Sequence, residues 1–235
     1  DGIRDVAVTG VQTCALPICL LGLGVHPSPS RILVVGMGGG ATAGAASVMP
    51  GTTTQLVELS PSVIAAGAWF KSANHNVLEN PQVNFRVDDG RNFLLTTTKK
   101  FDVITADLIL PHLAGAGNLY SRDYFELAKR SLTPTGVMVQ WIAADTEYQY
   151  KMMLRTFASV FPYVTLWVNH QMAVGSTQPL ELHEVDWDRK MQNPQTRGAF
   201  AANGLIDFKT LLSVYSAGDK QVREYVGDGP ILSDD

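Results

Sequence analysis

The stretch Arg31-Ile-Leu-Val-Val-Gly-Met-Gly-Gly-Gly-Ala-Thr-Ala-Gly44 decides the fold. Arg31 to Val35 is a short apolar run between the turn-rich lead-in Pro27 to Ser30 and a cluster of glycines, as a buried parallel strand reads. Gly36 to Gly44 forms a loop, and the small residues Ala41 to Met49 open a helix that Pro50-Gly51 ends. Glycines at such a turn let the backbone bend tightly and approach a ligand without a Cβ in the way, while the helix start offers unpaired N–H groups. A glycine-rich turn that binds nothing reads the same way, so the loop needs support from elsewhere.

Glu58 supplies it. It lies 22 residues after Gly36, at the carboxyl end of the next apolar run, Thr53 to Leu59. An acid there accepts hydrogen bonds from both hydroxyls of a ribose. Asp88-Asp89-Gly90 ends a third run, Val83 to Val87, and Asp107 ends a fourth, Phe101 to Ala106. Four successive strands thus bring Gly, Glu, Asp and Asp to one edge of one sheet, the edge where open α/β sheets bind ligands.

Further along, Ser60-Pro61 is expected to cap and start a helix. Ser121 to Ser131 has helix spacing with Tyr124, Leu127 and Ala128 on one face, Pro134-Thr135-Gly136 reads as a turn into a strand Val137 to Ile142, and Glu147 to Phe161 is helical. Val164 to Val168 is β-rich, with Met172 to Gly175 as a pairing partner. The expected architecture is α/β: a Rossmann-like, doubly wound, mostly parallel sheet over residues 19–177, with a small, partly helical appendage over 178–235. Gly36-x-Gly38-x-x-Ala41 with Glu58 also fits a dinucleotide enzyme, but Asp89 and Asp107 suit adenine and a reacting amine better than a second mononucleotide.

Composition excludes some classes. The 235 residues are 46% hydrophobic and 17% charged, with a net charge of −4, which gives no general attraction to nucleic acid. Cys14 and Cys19 do not have metal-knuckle spacing, His26, His75, His170 and His183 show no ligand spacing, and no metal is expected. Residues 1–18 (DGIRDVAVTGVQTCALPI) read as a non-native, adapter-like segment. The alternative, an apolar segment Val11 to Val25, is 15 residues long and falls short of the roughly 20 that a membrane span needs. A membrane portion upstream of the chain stays open, as does a homodimer. The location is expected to be cytoplasmic, or a cytoplasmic domain of an inner-membrane protein.

With Gly36–Gly44, Glu58, Asp89-Gly90, Asp107 and Gly115-Ala-Gly-Asn-Leu-Tyr120, the chain resembles the spermidine synthase-like aminopropyltransferases. Leu132-Thr-Pro-Thr-Gly-Val-Met-Val-Gln-Trp141, Leu154 to Trp167 and Leu232-Ser-Asp-Asp235 look like the branch in which this domain is fused behind membrane helices. The resemblance implies that Gly36, Gly38, Gly39, Gly40, Glu58, Asp89 and Gly90 seat decarboxylated S-adenosylmethionine as a cosubstrate, with no tightly bound cofactor. Glu58 would hold the ribose and Asp89 the adenine edge. Asp107 would be the catalytic acid, and Tyr120 would line a small-molecule amine. Tyr120 as plain core is the alternative. His112, in the loop over the site, is a candidate proton carrier or a loop histidine without a role. Two positions depart from the family: Gly39 stands where the glycine loop usually has an acid, and Leu110 where a second Asp usually follows the catalytic one. Those departures keep two other readings alive, an S-adenosylmethionine-dependent methyltransferase and a non-catalytic nucleoside-binding domain of a membrane protein.

Overall fold

Ile32 and Val34 of the first strand, β1 (Arg31–Val35), point to one face of the sheet and Leu33 and Val35 to the other, and all four are buried. Burial on both faces is what an apolar run without alternation encodes. The structure, a computed structural model, describes residues 18–106, 117–142 and 144–234.

The later strands are β2 (Thr53–Glu58), β3 (Val83–Val87), β4 (Phe101–Ala106), β5 (Leu132–Trp141), β6 (Tyr163–Trp167), β7 (Met172–Ser176) and β8 (Tyr215–Ala217). Their order in the sheet is β3-β2-β1-β4-β5-β7-β6-β8. The first five are parallel; β7 runs antiparallel to both β5 and β6, and β8 is antiparallel to β6. The expected pairing of Met172 to Gly175 with the preceding strand is therefore observed. A dinucleotide fold continues into further parallel strands; here an antiparallel hairpin closes the sheet after β5.

Helices cover both faces. The described chain opens in a helix over 18–25 (α1), which the sequence pattern, beginning at Pro27, does not anticipate. With α2 (Ala41–Ala46), α7 (Glu184–Met191), α8 (Pro194–Ala202) and α9 (Phe208–Ser213), it packs on the face of Ile32 and Val34. Gly22 lets α1 lie directly on the sheet, since a Cβ there would meet Val103 Cγ1 at 2.6 Å. The face of Leu33 and Val35 carries α4 (Gly90–Thr96), α5 (Arg122–Ser131), α6 (Glu147–Val160) and α10 (Asp219–Val226). Residues 178–235, set apart in sequence as an appendage, thus add helices to both cores and a strand to the sheet.

Lys190 holds α1 in place. Its buried Nζ donates to the carbonyls of Leu23 (2.9 Å), Gly24 (2.6 Å) and His26 (2.8 Å), groups that a helix end leaves without partners. Burial pushes the Lys190 amine down to about 8. Asp102 fastens the same amino edge of the sheet, accepting from Ser30 N (3.0 Å), Arg31 N (2.9 Å) and Thr133 Oγ1 (2.9 Å).

Two local expectations are corrected. Pro134-Thr135-Gly136 is not a turn before a strand: it lies inside β5, whose register against β4 breaks between the pairs Phe101–Leu132 and Val103–Val137. The surplus residues are absorbed as a bulge, where a proline costs no ladder bond. Ser60 stands at the start of α3 (Pro61–Ala66), but its side chain makes no cap; its N–H donates instead to Glu58 Oε1 at 2.8 Å.

Candidate active site

The loop after β1 turns on three glycines in the left-handed region, Gly36, Gly38 and Gly40 (φ 85°, 51° and 85°), a conformation that costs other residues. Gly36 N still bonds Val57 O (2.8 Å), and Gly40 N closes the turn onto Met37 O (2.7 Å). Gly38 is exposed, with no atom within 4 Å of where a Cβ would stand. The backbone there faces open space, as approach of a ligand requires.

Asn74, which nothing in the sequence singles out, clamps this loop from behind. Fully buried, it donates from Nδ2 to Gly39 O (3.0 Å) and Gly67 O (2.8 Å) and accepts from Val77 N at 3.3 Å. Gly44 lies so close that a Cβ there would sit 2.2 Å from Asn74 O. A side chain at position 44 would therefore collide with the backbone that carries the clamp.

Glu58, half-buried at the end of β2, is oriented through both oxygens: Oε2 accepts from Met37 N (2.8 Å) and Oε1 from Ser60 N (2.8 Å). Each carboxylate oxygen keeps a second lone pair, so two vicinal hydroxyls can still be bound. One strand further out, Asp88 N bonds Glu58 O (3.1 Å). The Asp88 carboxylate accepts from Asn92 Nδ2 (2.8 Å) and pairs with Arg86 (2.9 Å), and these bonds, Asn92 first, hold its pKa below the usual carboxylate range.

Asp89 is exposed and serves as the N-cap of α4, with Oδ1 accepting from Asn92 N at 2.9 Å. Gly90 begins α4 against β1. Across β3-β2-β1-β4 the sheet therefore presents Asp89, Glu58, the glycine loop and then Ala106, the residue before Asp107. Asp107 and His112 themselves lie outside the described residues.

Tyr120 ends a 3₁₀ turn (Gly117–Tyr120) and is fully buried, with its hydroxyl donating to Trp141 O at 3.2 Å. Gln140 Nε2 donates to the same carbonyl at 3.3 Å. Beside them the Tyr124 hydroxyl is buried, and that burial, then Tyr120 and Asp89, drives its pKa up. Among the described residues, seven buried side-chain polar atoms have no hydrogen-bond partner: Thr54 Oγ1, Asn76 Oδ1 and Arg91 Nε, and a group of four, Thr105 Oγ1, Tyr124 OH, Gln140 Oε1 and Trp141 Nε1. Buried polar atoms left so cost roughly 1–3 kcal/mol each, and these four lie on or beside β4 and β5, next to the edge that carries the acids. Gln140 and Trp141 thus have polar atoms the described chain does not satisfy. No group of three or more His, Cys, Asp or Glu fit to hold a metal occurs among the described residues.

A family profile for the spermine/spermidine synthase domain matches residues 17–172. The chain belongs to this family. Among curated relatives, the polyamine aminopropyltransferase of Nitrosomonas europaea is 32% identical over 209 residues, covering 82% of this chain and 59% of that one. The spermidine synthase of Dictyostelium discoideum is 33% identical over 127 residues, 52% of this chain and 44% of the relative. The chain thus spans about half the length of the curated relatives it matches. Among solved structures, spermidine synthase from Thermotoga maritima superposes with a TM-score of 0.70 at 15% identity, covering 92% of this chain and 75% of that one. Human methyltransferase-like protein 13 in complex with SAH gives 0.58 at 18%, covering 81% and 90%. These structures establish the fold, the Rossmann-like sheet expected from sequence. No described helix is long and apolar enough to cross a membrane.

Proposed function

We propose that the chain is the catalytic domain of a polyamine aminopropyltransferase. In this reading it moves the aminopropyl group of decarboxylated S-adenosylmethionine to a small-molecule amine and releases methylthioadenosine. The observation that carries the reading is the row of strand ends β3-β2-β1-β4 with Asp89, Glu58, the glycine loop and Ala106, the residue before Asp107 in the sequence, in that order. Neighbouring strands are about 4.8 Å apart, so the row spans roughly 14 Å. That is room for an adenosine lying from Asp89 past Glu58, with its sulfonium chain reaching Asp107. Relatives named for this activity support it.

The chemistry follows from those positions. The amine nitrogen attacks the propyl carbon next to the sulfonium, the C–S bond breaks, and its electron pair returns to sulfur as a neutral thioether. An ammonium has no lone pair, so a carboxylate must take the amine proton; Asp107 does this. Glu58 and the loop hold the nucleoside so that carbon and nitrogen meet in line. Tyr120 supports the wall of the amine channel from its place under Trp141. The reading puts the enzyme in the cytoplasm.

Gly39 and Leu110 favour a second reading, transfer of a methyl group from S-adenosylmethionine, because both remove an acid expected to recognise amine nitrogens. Calorimetric titration with decarboxylated S-adenosylmethionine, S-adenosylmethionine, methylthioadenosine and NAD separates the cases. Tightest binding of the decarboxylated compound supports aminopropyl transfer, preference for S-adenosylmethionine supports the methyltransferase, and binding of NAD alone refutes both.

A further inference from the structure

Leu232-Ser-Asp-Asp235, singled out in the sequence, takes no part in the site as described so far. After α10 the chain runs back across the outer helices. Arg155 of α6 donates to the carbonyls of Val226, Gly227 (2.9 Å) and Pro230 (2.9 Å). Leu232 then donates to Thr156 Oγ1 (2.9 Å) and accepts from Arg122 N (2.8 Å), the first residue of α5.

Asp234 ends this run on two helix starts at once. Its Oδ1 accepts from Ser121 Oγ at 2.6 Å, and Ser121 caps α5; its Oδ2 pairs with Arg91 in the first turn of α4. Its own N–H donates to Asp123 Oδ2 at 3.1 Å. Both helix starts border the nucleoside edge. Asp89 caps α4, and Gly90 is pressed so tightly on β1 that a Cβ would stand 2.3 Å from Cγ1 of Val35, the last residue before the glycine loop. Any shift of the start of α4 therefore moves Asp89 and pushes on the root of the loop. Well-packed interiors transmit such shifts and do not absorb them.

We propose that Asp234 is a positioning residue of the nucleoside site. It ties the starts of α4 and α5 together and so fixes Asp89 and the base of the glycine loop, although it touches no ligand. The proposal rests on the nucleoside reading above.

The test is the Kd of methylthioadenosine for the full chain and for Asp234→Asn, Asp234→Ala and Arg91→Gln, with Lys190→Met as a control that loosens the opposite face. The expected result is a Kd raised between about 2-fold and 30-fold in all three variants. In turnover, KM for the nucleoside cosubstrate rises while kcat holds, the mark of lost uniform binding. Lys190→Met lowers the thermal midpoint and leaves Kd in place. Asp234 variants that bind as the unmodified chain does would overturn the proposal, as would a Kd rise no larger than that of a Lys190→Met sample with the same loss of midpoint. Failure of the unmodified chain to bind methylthioadenosine would refute the nucleoside reading itself, and is recognisable because it involves no variant.

Discussion

Asn74 and Lys190 are both buried polar side chains that grip backbone carbonyls, and they sit on opposite edges of one sheet. Asn74 holds Gly39 and Gly67 at the carboxyl edge, where the loop leaves β1. Lys190 holds Leu23, Gly24 and His26 where α1 leads into β1. The bonds look alike, but what they hold differs. At the carboxyl edge the clamped loop faces open space and the neighbouring strand ends carry acids. At the amino edge the charged groups are spent on the chain itself: Asp102 accepts from three donors and Lys190 donates to three carbonyls. One edge keeps hydrogen-bonding capacity for something else, whereas the other spends its capacity on the fold.

That contrast can be broken by substitution, and the largest effect belongs at the carboxyl edge. Asp107→Asn removes the proton acceptor of the proposed transfer and is expected to lower kcat by about 100- to 10,000-fold, with methylthioadenosine binding retained; calorimetry beside steady-state rates checks both halves. Glu58→Gln weakens the two charge-assisted ribose bonds that the proposal gives this carboxylate. Loss of about 1.5–3 kcal/mol corresponds to a Kd roughly ten- to a hundredfold higher, read with the same ligand.

The clamps themselves give the sharper comparison. Asn74→Ala is expected to raise the nucleoside Kd and lower stability together, because it frees the loop. Lys190→Met leaves three carbonyls without a donor and is expected to cost about 1–3 kcal/mol of stability, a few degrees of Tm per kcal/mol in a chain of this size, with Kd unchanged. Equal effects of the two on binding would show that the edges are not functionally distinct.

The smallest effect is a pH dependence confined to the amino edge. His26 is buried; its Nδ1 accepts from Ser28 N (3.2 Å), and Nε2 faces Thr135 Oγ1 (3.4 Å). Burial lowers its pKa, with Lys190 acting in the same direction and Asp102 against it. A histidine with a depressed folded pKa binds fewer protons folded than unfolded, so stability is expected to fall as pH drops below the unfolded value of about 6.5. Thermal midpoints between pH 7.5 and 5.5 should show this in the unmodified chain and less of it in His26→Gln. Lys190, pushed down to about 8, has the same sign higher up: its cost is relieved as pH rises from about 8 towards its unfolded value.

The sequence shows the carboxyl edge better than the amino edge, for a physical reason. The Arg31–Val35 strand, the glycine loop and Glu58 are legible because buried parallel strands are short apolar runs, and a tight turn demands glycine at local spacing. Lys190 and α1 were not legible. The clamp joins residues more than 160 positions apart, and Leu20-Leu21-Gly22-Leu23-Gly24-Val25 carries no cap signal to mark it as a helix. Asn74 is hidden for a different reason: its partners are backbone groups, which leave no sequence trace. Asp89 was legible as a strand-end acid but not as the cap of α4, a duty that takes one of its oxygens before any ligand arrives.

The most direct test of the account is the product formed. The chain is incubated with decarboxylated S-adenosylmethionine and a set of diamines and polyamines, in parallel with S-adenosylmethionine and the same set, and nucleosides are separated by chromatography. Methylthioadenosine appearing only with the decarboxylated cosubstrate and an amine, and lost in Asp107→Asn, is the predicted result. S-adenosylhomocysteine from the parallel reaction, with no methylthioadenosine from the first, would contradict it.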